Sequence, residues 1–213
     1  MKLIKGNACF HGLKLQFITI FELYQFTVMA RTPSNMLPLG TKAPNFTLPD
    51  TISGKHLTFK DIKGDYGTVV FFICNHCPFV VHVNHTLVEV AKDYNTKGIG
   101  FVAISSNDAE NYPQDGPREM TIHAATVGYP FPYLYDESQD IARAYDAACT
   151  PDIYLFDNND QLVYRGQLDD SRPGNGIPSD GSDLKQAISN LIAGDNPLVI
   201  QKPSIGCNIK WKS

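Results

Sequence analysis

Five cysteines carry the most reactive chemistry in this 213-residue chain: Cys9, Cys74, Cys77, Cys149 and Cys207. Two of them stand two residues apart in Cys74-Asn75-His76-Cys77, followed by Pro78 and Phe79. A thiol becomes a nucleophile as its thiolate, and a helix N-terminus or a nearby cation favours that form. Proline at the first helical position is a helix-start signal, which makes Cys77 the N-cap residue. Free backbone N–H groups and the positive end of the helix dipole then lie beside its sulfur. His76 adds a partial cation or proton carrier between the two thiols. Such a pair suits thiol–disulfide exchange, in which one sulfur attacks and the other resolves the mixed disulfide. Cys77 is read as the attacking sulfur and Cys74 as the nearest resolving thiol.

The elements that must position this pair follow from the flanking pattern. Val69-Val70-Phe71-Phe72-Ile73 is an apolar run with the length and β-branched content of a strand buried on both faces. The helix opened by Pro78 should end near Lys97-Gly98, a basic residue and a C-cap glycine. Gly100 to Ser106 then reads as a second buried strand, parallel to the first and joined to it right-handedly. Upstream, Leu39 to Asp50, a turn at Ser53-Gly54-Lys55 and His56 to Phe59 read as a β-hairpin. Downstream come a helix from Pro117 to about Thr126, a short strand at Tyr133-Leu134-Tyr135 and a short helix from Ser138 to Tyr145. Ile153 to Asp157 and Gln161 to Gly166 form a second hairpin across Asn158-Asn159-Asp160. A last helix is capped by Ser182 or Asp183 and closed by Gly194. Asp169-Asp170 with Arg172 reads as a solvated loop.

The remaining candidates lie farther along the chain. Cys149 precedes Thr150-Pro151, and reads first as a small buried residue. Cys207 lies in a tail that could fold back as a resolving sulfur, or cross to a second subunit in a homodimer. Cys9 reads as inert. The spacing Cys74-x2-Cys77-x4-His82-x2-His85 looks like a zinc set. On a helix starting at Pro78, however, His85 stands about 12 Å along the axis from Cys77, too far for one tetrahedral site. No metal and no organic cofactor is expected.

The order of elements and several short segments resemble the thioredoxin superfamily, and within it the peroxiredoxin-like branch called AhpC/TSA-like. The matching segments are Ala43-Pro44-Asn45-Phe46, Phe72 to Pro78, Thr150-Pro151-Asp152 with Leu155-Phe156-Asp157, Arg165-Gly166-Gln167, and Pro203 to Cys207. The resemblance covers roughly Leu39 to the C-terminus. It implies an α/β thioredoxin-like fold: a central mixed β-sheet flanked by helices, with an N-terminal β-hairpin. It implies that Thr150-Pro151 is the family's cis-proline pair, presenting a backbone edge beside the reactive sulfur where an extended substrate can pair. The register of Cys77 matches the attacking cysteine of thioredoxins. The peroxiredoxin threonine falls at Cys74, and Pro151 occupies the place of the peroxiredoxin arginine.

The first functional expectation is therefore a thiol–disulfide oxidoreductase with Cys77 and Cys74 as catalytic residues and Thr150 and Pro151 binding substrate. His76, Cys149 and Cys207 are accessory candidates. Its partners would be protein or low-molecular-weight thiols and disulfides, and a thiol reductant. A thiol-dependent hydroperoxide reductase is the second enzyme reading, passing through sulfenic acid at Cys77. A redox- or metal-responsive interaction module is the non-enzymatic one.

The totals agree with one such domain. The formal net charge is −4, so no basic surface invites nucleic acid. Apolar residues make up 43% and charged ones 19%, ordinary for a soluble domain. No apolar stretch reaches the roughly 20 residues of a membrane span. An odd, scattered cysteine count is not a secreted disulfide framework and points to a reducing, cytoplasmic setting. Residues 1–36 read as an extension, either a tail or an over-long start with Met29 and Met36 as alternatives, or an export signal or anchor. Residues 37–195 read as the thioredoxin-like domain and 196–213 as a tail beyond it.

Overall fold

A computed structural model describes residues 31–213; Cys9, Met29 and the signal or anchor reading lie outside the described residues. Near the start, β1 (Thr32–Pro33) is followed by β2 (Thr47–Pro49), β3 (His56–Thr58) and the single-turn α1 (Phe59–Ile62). Thr58 caps that turn: its side chain accepts from the Asp61 N–H while Asp61 accepts from the Thr58 N–H, a reciprocal capping box. β4 (Gly67–Phe72) leads through the cysteines to α2 (Pro78–Asn95), then β5 (Ile99–Ser105), α3 (Pro117–Val127), β6 (Tyr133–Tyr135) and α4 (Asp140–Ala144). The chain ends with β7 (Cys149–Thr150), β8 (Asp152–Asp157), β9 (Leu162–Gly166), α5 (Ser182–Ala193) and β10 (Ile205–Asn208).

The apolar run before the cysteines becomes the middle of a five-stranded mixed sheet, in the order β6-β5-β4-β8-β9. β4 is parallel to β5 and antiparallel to β8, with β6 parallel and β9 antiparallel at the edges. Side chains alternate across the sheet. Val69, Phe71 and Ile73 pack with Val80 and Leu87 of α2, Met120 of α3 and Leu184 and Ile188 of α5. Val70 and Phe72 face the other way, against Phe46, Phe59, Tyr145, Tyr154 and Phe156. Both layers are sealed, which is why the run carries no polar residue. β2 and β3 pair as a separate antiparallel hairpin, tied to the sheet edges by Asp50–Leu134 and Lys42–Gln161 bridges.

Four expectations are corrected. The C-terminal segment does not lie beyond the domain: β10 pairs antiparallel with both β7 and β1, and Ile209 is 1% exposed in the second core layer. The end of the N-terminal extension is likewise part of the fold. Thr32–Pro33 pairs with β10, and buried Ser34 donates to Asp152 Oδ1 at 2.6 Å. The last helix is not capped by Ser182 or Asp183. Its N-cap is Gly181 in the left-handed region, and Asp180 Oδ1 accepts from the Ser182 N–H at 2.9 Å. The loop before it is not simply solvated either. Asp169 is 1% exposed and accepts from the Asp180 and Gly181 N–H groups and from Ser179 Oγ, so it anchors the entry to α5. Asp170 is exposed and pairs with Lys202.

Among the described residues, no helix is long and apolar enough to cross a membrane.

Candidate active site

β4 ends at Phe72, and two more buried residues, Ile73 and Cys74, carry the chain to the top of the sheet. Pro78 starts α2 and Cys77 is its N-cap residue. Its sulfur closes no full cap hydrogen bond, but the Val80 N–H gives it a small stabilisation.

Three sulfurs and one threonine converge on this point. Cys77 Sγ lies 2.8 Å from Cys207 Sγ and 3.1 Å from the Thr150 carbonyl oxygen. Cys74 Sγ lies 3.6 Å from Thr150 Oγ1. The Thr150–Pro151 peptide is cis. The Cys77 thiol is held well below the ordinary thiol range, first by donation from Cys207, then by donation from Cys74, against the opposing effect of burial. The same contacts push Cys207 and Cys74 upward, with burial adding to both. The opposed directions make Cys77 the most readily ionised sulfur of the three. The Thr150 side chain adds a smaller effect in the same downward direction.

The four predicted sulfurs differ in access. Cys74 and Cys77 are 1% and 0% exposed, Cys149 is buried, and Cys207 is partly exposed. Cys149 Sγ points to the Pro151 carbonyl oxygen, 3.5 Å away, and burial pushes its thiol far up. That is the behaviour of a structural thiol. Cys207 comes from 130 residues downstream to meet Cys77, so Cys74 is not alone as a partner sulfur. The apolar–polar alternation of Ile205, Cys207 and Ile209 is the sequence signal of the strand that brings it there.

The edge expected to be open to substrate is occupied. Thr150 pairs with Cys207, and Cys149 with Asn208, in the β7–β10 ladder. A cleft does open beside Pro151, lined also by Phe79, Val83, Leu168 and Ile205.

His76 turns to Asp115. Its Nδ1 is 2.6 Å from Asp115 Oδ2, and its ring stacks on Tyr112. Asp115, fully buried, also accepts from the Asn75 N–H at 2.9 Å and from Asn107 Nδ2 at 2.8 Å. It fixes the loop between the two cysteines, and sequence reading missed it. Cys74, His76 and Asp115 bring one donor atom each within 4.8 Å of one another, but Asp115 is already engaged by three partners. His82 and His85 belong elsewhere: His82 Nε2 meets Ser171 Oγ at 2.7 Å, and exposed His85 pairs with Glu89.

The mixed sheet, the strand–dithiol–helix junction and the proline loop define a thioredoxin-fold thiol protein of the peroxiredoxin-like kind. Residues 39–165 match the model of the AhpC/TSA family, and the chain belongs to it. The crystal structure of an uncharacterized conserved protein from Geobacillus kaustophilus is 58% identical, with a TM-score of 0.85 over 86% of this chain and 97% of that one. A Mycobacterium tuberculosis protein provisionally named a peroxiredoxin is 27% identical over 123 residues, 58% of this chain and 73% of that protein. The thioredoxin domain of a Bacteroides vulgatus thiol–disulfide oxidoreductase shares the fold, with a TM-score of 0.55 and 18% identity over 70% of this chain and 97% of that one.

Proposed function

We propose that this protein is a thiol–disulfide oxidoreductase whose attacking sulfur is Cys77. The observation that carries the reading is the cluster itself: the N-cap sulfur of Cys77 lies 2.8 Å from Cys207 Sγ, and Cys74 and Cys77 both meet Thr150. A sulfur flanked by donors of its own kind is equipped to make and break S–S bonds. Cys77 attacks a substrate disulfide, giving a mixed disulfide and one free thiol. A second sulfur of the cluster then displaces the substrate, and an external thiol resets the pair. The Thr150-Pro151 loop packs against the reacting sulfur and sets the approach.

Hydroperoxide reduction is the weaker reading. It needs charged or hydrogen-bonding donors around the leaving oxygen. The groups acting most strongly on Cys77 are two sulfurs, Thr150 and the Val80 N–H, and no guanidinium is among them. Arg165 is instead buried at Ser34, with Nε 3.1 Å from Ser34 Oγ.

Rapid mixing of the reduced protein with a model disulfide, and separately with hydrogen peroxide, tests this. Disulfide exchange should be fast and peroxide oxidation slow, and Cys77→Ser should abolish exchange. Equal exchange by wild type and Cys77→Ser would end the assignment.

A further inference from the structure

β10 covers the backbone edge of Cys149–Thr150 that lies beside Cys77. It runs antiparallel to Cys149–Thr150, places Cys207 opposite Thr150, and sets Cys207 Sγ 2.8 Å from the attacking sulfur. The approach is close: a Cβ added to Gly206 would stand 1.9 Å from the Thr150 carbonyl oxygen. Only glycine permits the strand to seat at this depth. The strand is held from behind by β1 and from below by buried Ile209. Cys77 is sealed, while Cys207 is the member of the pair with solvent contact.

We propose that β10 is a tethered substrate surrogate and that Cys207, rather than Cys74, is the resolving sulfur of Cys77. This rests on the thiol–disulfide reading above and names its second redox residue and its substrate class: disulfides in extended polypeptide that can pair with Thr150 once β10 moves aside. Cys77 thiolate attacks one sulfur of the substrate, the substrate S–S bond breaks, and the leaving thiolate takes the Cys207 proton. Cys207 thiolate then attacks the Cys77 sulfur, forming Cys77–Cys207 and releasing the second substrate thiolate. Two electrons pass from the cysteine pair to the substrate. β10 returns to its seat in that step, so resolution and closure of the binding edge are one event. Resetting requires an external dithiol, which attacks the accessible Cys207 sulfur and expels Cys77, the better leaving group of the two.

The experiment uses the full chain as wild type, Cys74→Ser, Cys207→Ser and Gly206→Val, each reduced and then treated with one equivalent of a short extended peptide disulfide. Cysteine pairing is mapped by mass spectrometry. Cys77–Cys207 should form in wild type and in Cys74→Ser alike. Cys207→Ser should stall with the peptide on Cys77, accumulating about tenfold more mixed disulfide than wild type. Gly206→Val should unseat β10 and raise the rate of the first attack above that of wild type at a pH high enough to ionise Cys77 in both. A Cys74–Cys77 bond in wild type with Cys207 still alkylatable would overturn the proposal, as would wild-type turnover in Cys207→Ser. Those results leave thiol–disulfide exchange at Cys77 standing, whereas a peptide that never joins Cys77 removes both readings. Should Gly206→Val not fold, the pairing maps of the two serine variants decide alone.

Discussion

The sulfur of Cys207 is in contact with that of Cys77 across 130 residues of chain, and its thiol is the first cause of the downward shift of the Cys77 thiol. Replacing it by a methyl group removes a donor from a buried thiolate. Cys207→Ala should therefore move the midpoint of iodoacetamide labelling at Cys77 upward in pH. Because the mutation also opens a path to the sulfur, the midpoint and not the maximal rate carries the result. An unchanged midpoint would mean that Cys74, Thr150 and the helix N-terminus set the charge without Cys207.

Asp115 holds the Asn75 N–H, Asn107 and His76 at once from a fully buried position. Asp115→Ala leaves these donors facing a void. Each buried group left without its partner costs about 1–3 kcal/mol, and urea unfolding should show a loss in that range or somewhat above. Asp115 also raises the Cys74 thiol through its negative charge. The same variant should make Cys74 titrate lower, which cysteine-resolved alkylation against pH can read.

Asp152 is buried, and desolvation pushes its carboxyl up from 3.8 to about 6, in spite of donors from Ser34, the Ala148 N–H and Tyr154. A carboxyl raised on folding favours the native state while it is protonated in both states, below about pH 4. That contribution is lost as pH rises through about 6, because the native state must then ionise a buried group. The stability difference between wild type and Asp152→Asn should fall by up to about 3 kcal/mol over this window. Chemical denaturation at pH 4, 5, 6 and 7 measures it, and a flat difference would refute the shift.

Ile209 is 1% exposed among Phe46, Tyr145 and Tyr154. Ile209→Ala should cost about 2–5 kcal/mol by the removed contacts and the cavity left behind. It should also free the C-terminal strand for limited proteolysis near Val199 and Ile200, which are 99% and 83% exposed. Loss of stability without earlier cleavage there would show that β10 is held by its ladder alone.

What the sequence determined by itself is what neighbouring residues settle between themselves. An apolar run with no polar interruption, built of Val, Phe and Ile, reads as a strand covered on both faces, and Val69 to Phe72 lie in the central one. A proline after Cys77 starts a helix and leaves that cysteine at its cap. Gly194 closes the last helix in the left-handed region, as expected. Each of these is decided within a few residues by sterics, solvation or backbone geometry.

The tertiary structure decided the rest. Cys207 against Cys77, Ser34 between Arg165 and Asp152, and Asp115 beneath the Asn75-His76 loop join residues 40 to 131 positions apart. No spacing in the chain encodes such meetings. They arise where sheet order, strand register and the close approach at Gly206 bring distant side chains to one point. Which sulfur lies against Cys77 is therefore a property of the packed molecule, whereas the place of Cys77 at the start of a helix is already written in its strand and its proline.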